Sequence, residues 1–111
     1  MSTTTMHPTE LHVRVLDLGE MTVVGLDGEM DLTNSSRVSE QLRRAVERDS
    51  TTIVLDCSLL RSMGRNEVAV LADASDTIRD HHGRFVVRQP NPEARELMEE
   101  DGLLDDIEIE D

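Results

Sequence analysis

The chain contains no lysine, tryptophan or tyrosine, and Phe85 is its single aromatic residue. Its core must therefore come from Val, Leu, Ile, Met and Ala, which leaves no aromatic platform for a flat ligand or stacked nucleobases. Cysteine is limited to Cys57, so an internal disulfide framework is excluded and a reducing compartment is expected. No apolar run approaches the ~20 residues that span a bilayer, and the N-terminus lacks the basic-then-apolar pattern of a secretory signal. Cations are scarce too. Against 24 acidic residues stand 11 basic ones, all arginine, for a formal charge of −13. Binding nucleic acid through its phosphates needs clustered cations, so that class of function is excluded. A length of 111 residues suits one domain able to bury a single core without metals or disulfides. The expectation is a small cytoplasmic domain without membrane insertion.

Residues 1–10 show no periodicity and read as a flexible lead-in, which leaves 11–111 as the domain. Leu11, Val13 and Val15 alternate with His12 and Arg14, and after Gly19-Glu20 the β-branched run Met21–Val24 continues to Gly28–Asp31. Two strands joined by a short Gly-containing turn make a hairpin. The period then changes. Val38, Leu42, Ala45 and Val46 form one helical stripe, with Asn34, Ser35 and Ser36 as candidate N-caps and Asp49-Ser50 at its end. Thr52–Leu55 is a continuous apolar run, as expected of a central strand reached by a parallel crossover. A connecting stretch from Cys57 to Gly64 precedes a second stripe at Val68, Leu71, Ala72, Ser75 and Ile78. His81-His82-Gly83 closes that helix, with Gly83 assigned the left-handed position. Phe85–Val87 is the next strand, and Asn91-Pro92 starts a third helix over Ala94, Leu97 and Met98, which Gly102 ends. Leu103, Leu104 and Ile107 return to the core, with a final short strand. The order β-β-α-β-α-β-α-β is a mixed α/β domain, one four- to five-stranded sheet with helices mainly on one face.

Gly28-Glu29-Met30-Asp31, the helix after it, Ile53-Val54-Leu55-Asp56 and the helix starting near Asn66 together resemble the STAS domain. In size the chain is similar to the stand-alone anti-sigma factor antagonists of bacteria. Phe85-Val86-Val87, the Pro-containing turn at 90–92 and Leu97-Met98-Glu99-Glu100-Asp101-Gly102-Leu103 are laid out as in that family. The resemblance runs from about Leu11 to Ile109. It implies a non-enzymatic protein, without cofactor, that binds an anti-sigma factor of kinase-like fold and so frees a sigma factor. It also implies control by phosphorylation of a Ser or Thr in an Asp-Ser-Ser-Gly-like motif at the start of the second helix. Laid without gaps from Val54, that motif falls on Gly64, Arg65, Asn66 and Glu67, and none of the four matches. Arg65 occupies the acceptor position and cannot be phosphorylated by a serine kinase.

A phosphate at a helix N-terminus is favoured by free amides and the positive end of the dipole, and Arg65 sets a cation against that field. Asn66 and Glu67 support the helix start. Arg65 then either contacts an acidic partner surface or a bound anion, or is a solvated residue beside a decayed switch. Ser58 and Ser62 are alternative acceptors in the connecting stretch. Cys57 is a packing residue or, with Arg61 and Arg65 near in sequence, a thiol sensor. His81 and His82 point about 100° apart on a helix and make no chelating pair, and His7 and His12 complete none. Glu29 with Asp31, and Asp105 with Asp106, are carboxylate pairs without a positioned nucleophile. No Gly-rich phosphate loop follows a strand, since Gly83 and Gly102 are isolated. From Glu93 onward, ten acidic residues accompany Arg95 alone, a solvated face or one that steers a basic partner.

The expected partner surface comprises residues 57–68, the exposed side of the second helix (Arg65, Glu67, Asp76) and the turn from Glu29 through Asp31 to Thr33. The protein is expected to be a monomer or weak homodimer. The alternative is a permanent STAS subunit of a larger assembly, such as a transporter ATPase complex. A third reading, an enzyme or ligand sensor centred on Asp31, lacks any convergent catalytic set.

Overall fold

The structure, a computed structural model, describes residues 10–111. Most of the expected lead-in, with His7, lies outside the described residues. Five strands and three helices follow the expected order: β1 (Leu11–Asp17), β2 (Met21–Met30), α1 (Ser35–Glu47), β3 (Thr52–Met63), α2 (Arg65–Asp80), β4 (Arg84–Arg88), α3 (Pro92–Glu100) and β5 (Glu108–Glu110), with one 3₁₀ turn at Leu103–Asp105. The sheet order is β1-β2-β3-β4-β5, antiparallel between β1 and β2 and parallel elsewhere. Each parallel step advances in the same direction across the sheet. Right-handed crossovers repeated in one direction put α1, α2 and α3 on the same face. One apolar cluster accordingly joins the stripes of all three helices to Val24, Leu26, Ile53, Leu55, Phe85 and Val87.

Val54 and Val86 are buried yet stand outside that cluster, because they point to the face without helices. Arg84 and Arg88 flank Val86 on that face and pair with Glu108 and Glu110 of β5 at 2.7 Å each. Their stems cover apolar surface while their heads reach carboxylates. Glu108 is held below the usual carboxylate range by the Arg84 hydrogen bond. Much of the acidic C-terminal stretch is tied down in this way, with Asp106 on Arg79 at 2.9 Å and Asp111 on Arg95 at 3.0 Å. The expectation of a merely solvated charge run is corrected to that extent.

β3 departs most from expectation. The stretch from Cys57 to Gly64 is strand up to Met63, and it pairs with β2 through two register shifts. Gly25 faces Asp56 and Asp27 faces Leu59, then Gly28 faces Leu60 and Glu29 faces Ser62. Each shift inserts one extra residue in β3, as in a β-bulge. Burial therefore falls on Cys57, Leu60 and Met63, a spacing of three that no strand period of two reveals.

Two terminations also differ in detail. Asn34 stands at the N-cap of α1, but its side chain turns back, accepting from Asp31 N–H and donating to the Glu29 carbonyl, each at 2.9 Å. At the end of α2 the left-handed residue is His82, with φ 61°, one position before the expected Gly83. Gly83 N–H reaches the Ile78 carbonyl at 2.9 Å and His82 N–H the Arg79 carbonyl at 2.8 Å, the paired bonds of a Schellman end. Gly83 fits closely for a different reason, since a Cβ there would meet Ile78 Cγ2 at 3.0 Å and the Ile78 carbonyl at 3.2 Å.

Two core substitutions should move stability in opposite directions. Gly28 has φ 125°, and a Cβ on it would stand 2.2 Å from the Glu10 carbonyl oxygen. Gly28→Ala should therefore cost about 2 kcal/mol or more in urea unfolding. Ser75 is fully buried, and its hydroxyl has no hydrogen-bond partner. Ser75→Ala should raise stability by about 1 kcal/mol, a Tm gain of several degrees by calorimetry.

Candidate functional site

Parallel pairing of β2 with β3 brings the C-terminal ends of both strands, and the starts of the helices that follow them, to one end of the sheet. The register Glu29↔Ser62 and Met30↔Met63 sets the β2–α1 turn beside the start of α2. Open α/β sheets commonly place their binding surfaces at this end.

The turn is held from within. Asp31 Oδ1 accepts Thr33 N–H at 2.8 Å and the Thr33 hydroxyl at 2.6 Å, while Ser35 N–H donates to the Asp31 carbonyl at 2.9 Å. Together with the two Asn34 bonds, this fixes the chain between β2 and α1 and presents Leu32 to solvent, 66% exposed. Across the strands, Arg61 approaches Glu29 at 3.7 Å.

The start of α2 is built from Gly64 and Glu67. Gly64 is the N-cap, and Glu67 Oε1 accepts its N–H at 2.8 Å. This is the reciprocal half of a capping box, the other half being impossible for glycine. Glu67 is consequently buried, 6% exposed, and its inclusion among partner-contacting residues is corrected: the carboxylate is spent on the cap. Asn66 stands exposed in the first turn, and the N-cap role falls to Gly64. Arg65 is the first helical residue, with its side chain 72% exposed, and its guanidinium meets Glu100 at the end of α3 at 3.2 Å. An exposed pair of this kind contributes at most about 1 kcal/mol. Its geometry nonetheless directs the cation to the carboxyl-rich end of α3.

Ser58 and Ser62 are both exposed, but they sit on the bulged strand and not in a loop. Ser58 N–H donates to Asp56 Oδ1 at 3.0 Å. A residue that the sequence marked only as a helix cap, Asn91, also braces this strand. Its amide donates to the Arg61 carbonyl at 3.0 Å while its oxygen accepts Ala94 N–H at 2.8 Å. Asp76 lies on α2 about 16 Å further along the axis from Arg65, at 1.5 Å per residue. There it pairs with Arg79 at 2.6 Å, so the fold does not bring it to the Arg65 end.

Cys57 is buried, and burial, aided by the Asp56 charge, pushes its thiol up to about 12. The thiolate a sensor requires is thus disfavoured, and the packing reading stands. His81 Nδ1 lies 2.9 Å from the Thr77 carbonyl, within its own helix. Among the described residues no group of three or more His, Cys, Asp and Glu is placed to hold a metal ion, and no helix is long and apolar enough to cross a membrane. A groove of 140 Å³ lies between α1 and α2, lined by Leu42, Val46, Ala74 and Ile78 among others, and an open depression of 400 Å³ beside β1 is lined by Val13, Ser36, Arg37, Glu40 and Gln41.

The two motif residues should separate in unfolding experiments. Glu67→Ala strips the cap from a partly buried amide and should cost about 1–2 kcal/mol, with Glu67→Gln recovering part of it. Arg65→Ala should stay within about 0.5 kcal/mol of wild type, and a larger loss would make Arg65 a structural residue.

The chain can now be set beside known proteins. A family model described as Mlab, STAS domain matches residues 13–108. No curated protein sequence matches the chain. Among solved structures, an anti-sigma factor antagonist from Mycobacterium paratuberculosis aligns with a TM-score of 0.81 at 21% identity, over 94% of this chain and 88% of that one. The anti-sigma factor antagonist SpoIIAA in its unphosphorylated form gives 0.74 at 19% identity, over 92% and 89% of the two chains. Bacillus SpoIIAA in its phosphorylated form gives 0.71 at 19% identity, over 92% of each. At these identities the likeness is one of fold, and that fold is the α/β arrangement expected from the sequence. With the family model spanning nearly all of the described residues, the chain belongs to the STAS domain family.

Proposed function

We propose that this protein is a regulatory binding module of the anti-sigma factor antagonist type, which engages an anti-sigma factor of kinase-like fold. Its contact surface is the end of the sheet bearing the Glu29–Thr33 turn, Ser58 to Ser62 on β3 and Arg65. The supporting observation is the start of α2. In a fold shared with antagonists solved both with and without phosphate, the first helical residue here is an arginine engaged with Glu100. An arginine is not an acceptor for a serine kinase, and its guanidinium is always charged at physiological pH. Binding is therefore constitutive, or is controlled by a switch of a kind other than phosphorylation. Gly64, Asn66 and Glu67 serve the helix start, and Asp31 with Thr33 shapes the neighbouring turn.

The same arginine also favours a second reading, since a subunit held permanently in a larger assembly such as a transporter ATPase complex needs no phosphate switch. The family description names an STAS protein other than the antagonists among the solved neighbours. The two readings differ in how the complex responds to salt and to residue 65.

Affinity capture from host lysate at two salt concentrations, with wild type, Arg65→Ser and Arg65→Glu, separates them. The antagonist reading predicts recovery of a kinase-like anti-sigma factor, weakened about ten-fold or more by Arg65→Glu, which corresponds to 1.4 kcal/mol. Recovery of a salt-resistant transport ATPase indifferent to residue 65 would replace it with the subunit reading.

A further inference from the structure

The end of the molecule opposite Arg65 carries an uncovered apolar hairpin. Of the six large hydrophobic residues exposed among the described ones, Val15, Leu16, Leu18 and Met21 lie in β1, β2 and the turn joining them. Leu16, Leu18 and Met21 lie on the helix-free face, without the arginine–carboxylate cover that shields Val86, whereas Val15 follows Leu11 and Val13 on the helix side of the edge.

β1 is also an edge strand, and its hydrogen-bonding direction can be read residue by residue. Leu18 N–H donates to the Met21 carbonyl at 2.8 Å, and Glu29 N–H to the Glu10 carbonyl at 3.0 Å. Both pairs belong to the register Leu11↔Gly28 through Asp17↔Thr22. Hydrogen-bonded pairs alternate along an antiparallel ladder, so His12, Arg14 and Leu16 bond to β2. Leu11, Val13, Val15 and Asp17 then turn their backbone groups outward. The Leu11 carbonyl confirms the direction: it is capped from outside by Arg37 Nη1 at 2.9 Å. Among the described residues, no hydrogen bond reaches the backbone of Val13, Val15 or Asp17 from that side. The strand has neither proline nor lysine to guard the edge, and its one full cation is Arg14.

We infer that this edge is a self-association surface, on which a second copy of the chain pairs its own β1 antiparallel about a two-fold axis at Val15. In that register the outward groups of Val13, Val15 and Asp17 meet those of Asp17, Val15 and Val13 in the second copy, making about six inter-strand hydrogen bonds. The two five-stranded sheets become one continuous sheet. Val15 packs on its own counterpart, and Leu16 lies opposite Arg14, whose alkyl stem covers it.

Charge favours a second copy here over other faces of the molecule. With 24 acidic residues against 11 basic ones, most approaches set carboxylates against carboxylates, but between Glu10 and Asp17 the strand carries only His12 and Arg14. The Arg37 cap on Leu11 limits the free groups to the stretch that matches itself. Association should be strengthened by salt, because the net charge of −13 on each copy repels at long range and is screened.

Sedimentation velocity over a concentration series at low and high salt tests the inference, together with residue-resolved amide exchange. The expected result is a monomer that becomes a dimer with rising concentration, more readily at high salt. The amides of Val13, Val15 and Asp17 should slow by about ten-fold or more in the dimer, while those of Arg14 and Leu16 are protected throughout. Val15→Pro removes only an outward N–H, and Leu16→Glu alters only an exposed side chain, so both should fold and remain monomeric. A monomer at every concentration overturns the inference. So does a dimer that survives both substitutions, or one in which the three outward amides exchange freely.

Discussion

The central strand β3 has to satisfy two neighbours of unequal length. Over Thr52–Asp56 it is paired on both sides, by β2 and by β4, and its side chains alternate between two buried faces. Beyond Asp56 only β2 remains, and there the two bulges let β3 run on while still burying Cys57, Leu60 and Met63. Around the two bulges Ser58, Leu59, Arg61 and Ser62 face solvent. The whole of this end of the sheet depends on the extension. It sets where α2 begins, brings Ser62 beside Glu29 and leaves the outer flank of the strand to be braced by Asn91 from α3.

Most of the fold was legible in the sequence because most elements obey a single period. The helical stripes at Val38–Val46, Val68–Ile78 and Ala94–Met98 and the runs at Thr52–Leu55 and Phe85–Val87 all stand where their spacing put them. The second half of β3 was illegible for a physical reason, since a bulge adds a residue to one strand and breaks the alternation that announces a strand. Side chains with two competing roles were equally hidden. Asn34 prefers the Asp31 amide and Glu29 carbonyl to the helix it precedes, and Glu67 looked like a surface acid until its cap to Gly64 buried it. Long-range pairs such as Arg65 with Glu100 and Asn91 with Arg61 carry no local signature. His82 took the left-handed position although Gly83 was the natural candidate, and Gly83 instead follows it as the second residue of the Schellman end, close against Ile78.

The start of α2 joins stability to function through different residues. Gly64 and Glu67 complete the helix end with a neutral backbone amide and a buried carboxylate. Arg65 contributes little to that end, faces solvent and finds its counter-charge on another helix. A residue that makes one exposed ion pair and takes no part in the helix cap is free to serve recognition. Acidic surroundings reinforce the point. A chain with this charge repels acidic surfaces at long range, and the exposed Arg61 and Arg65 at this end of the sheet give a local exception to which an acidic partner surface can be fitted.

The central claim, that the start of α2 supports binding without a phosphate switch, is tested most directly by calorimetric titration of the purified anti-sigma partner before and after incubation with ATP and magnesium. The account predicts the same affinity in both cases and an intact mass without added phosphate. Loss of binding accompanied by one phosphate on Ser58 or Ser62 would contradict it and return the switch to the bulged strand.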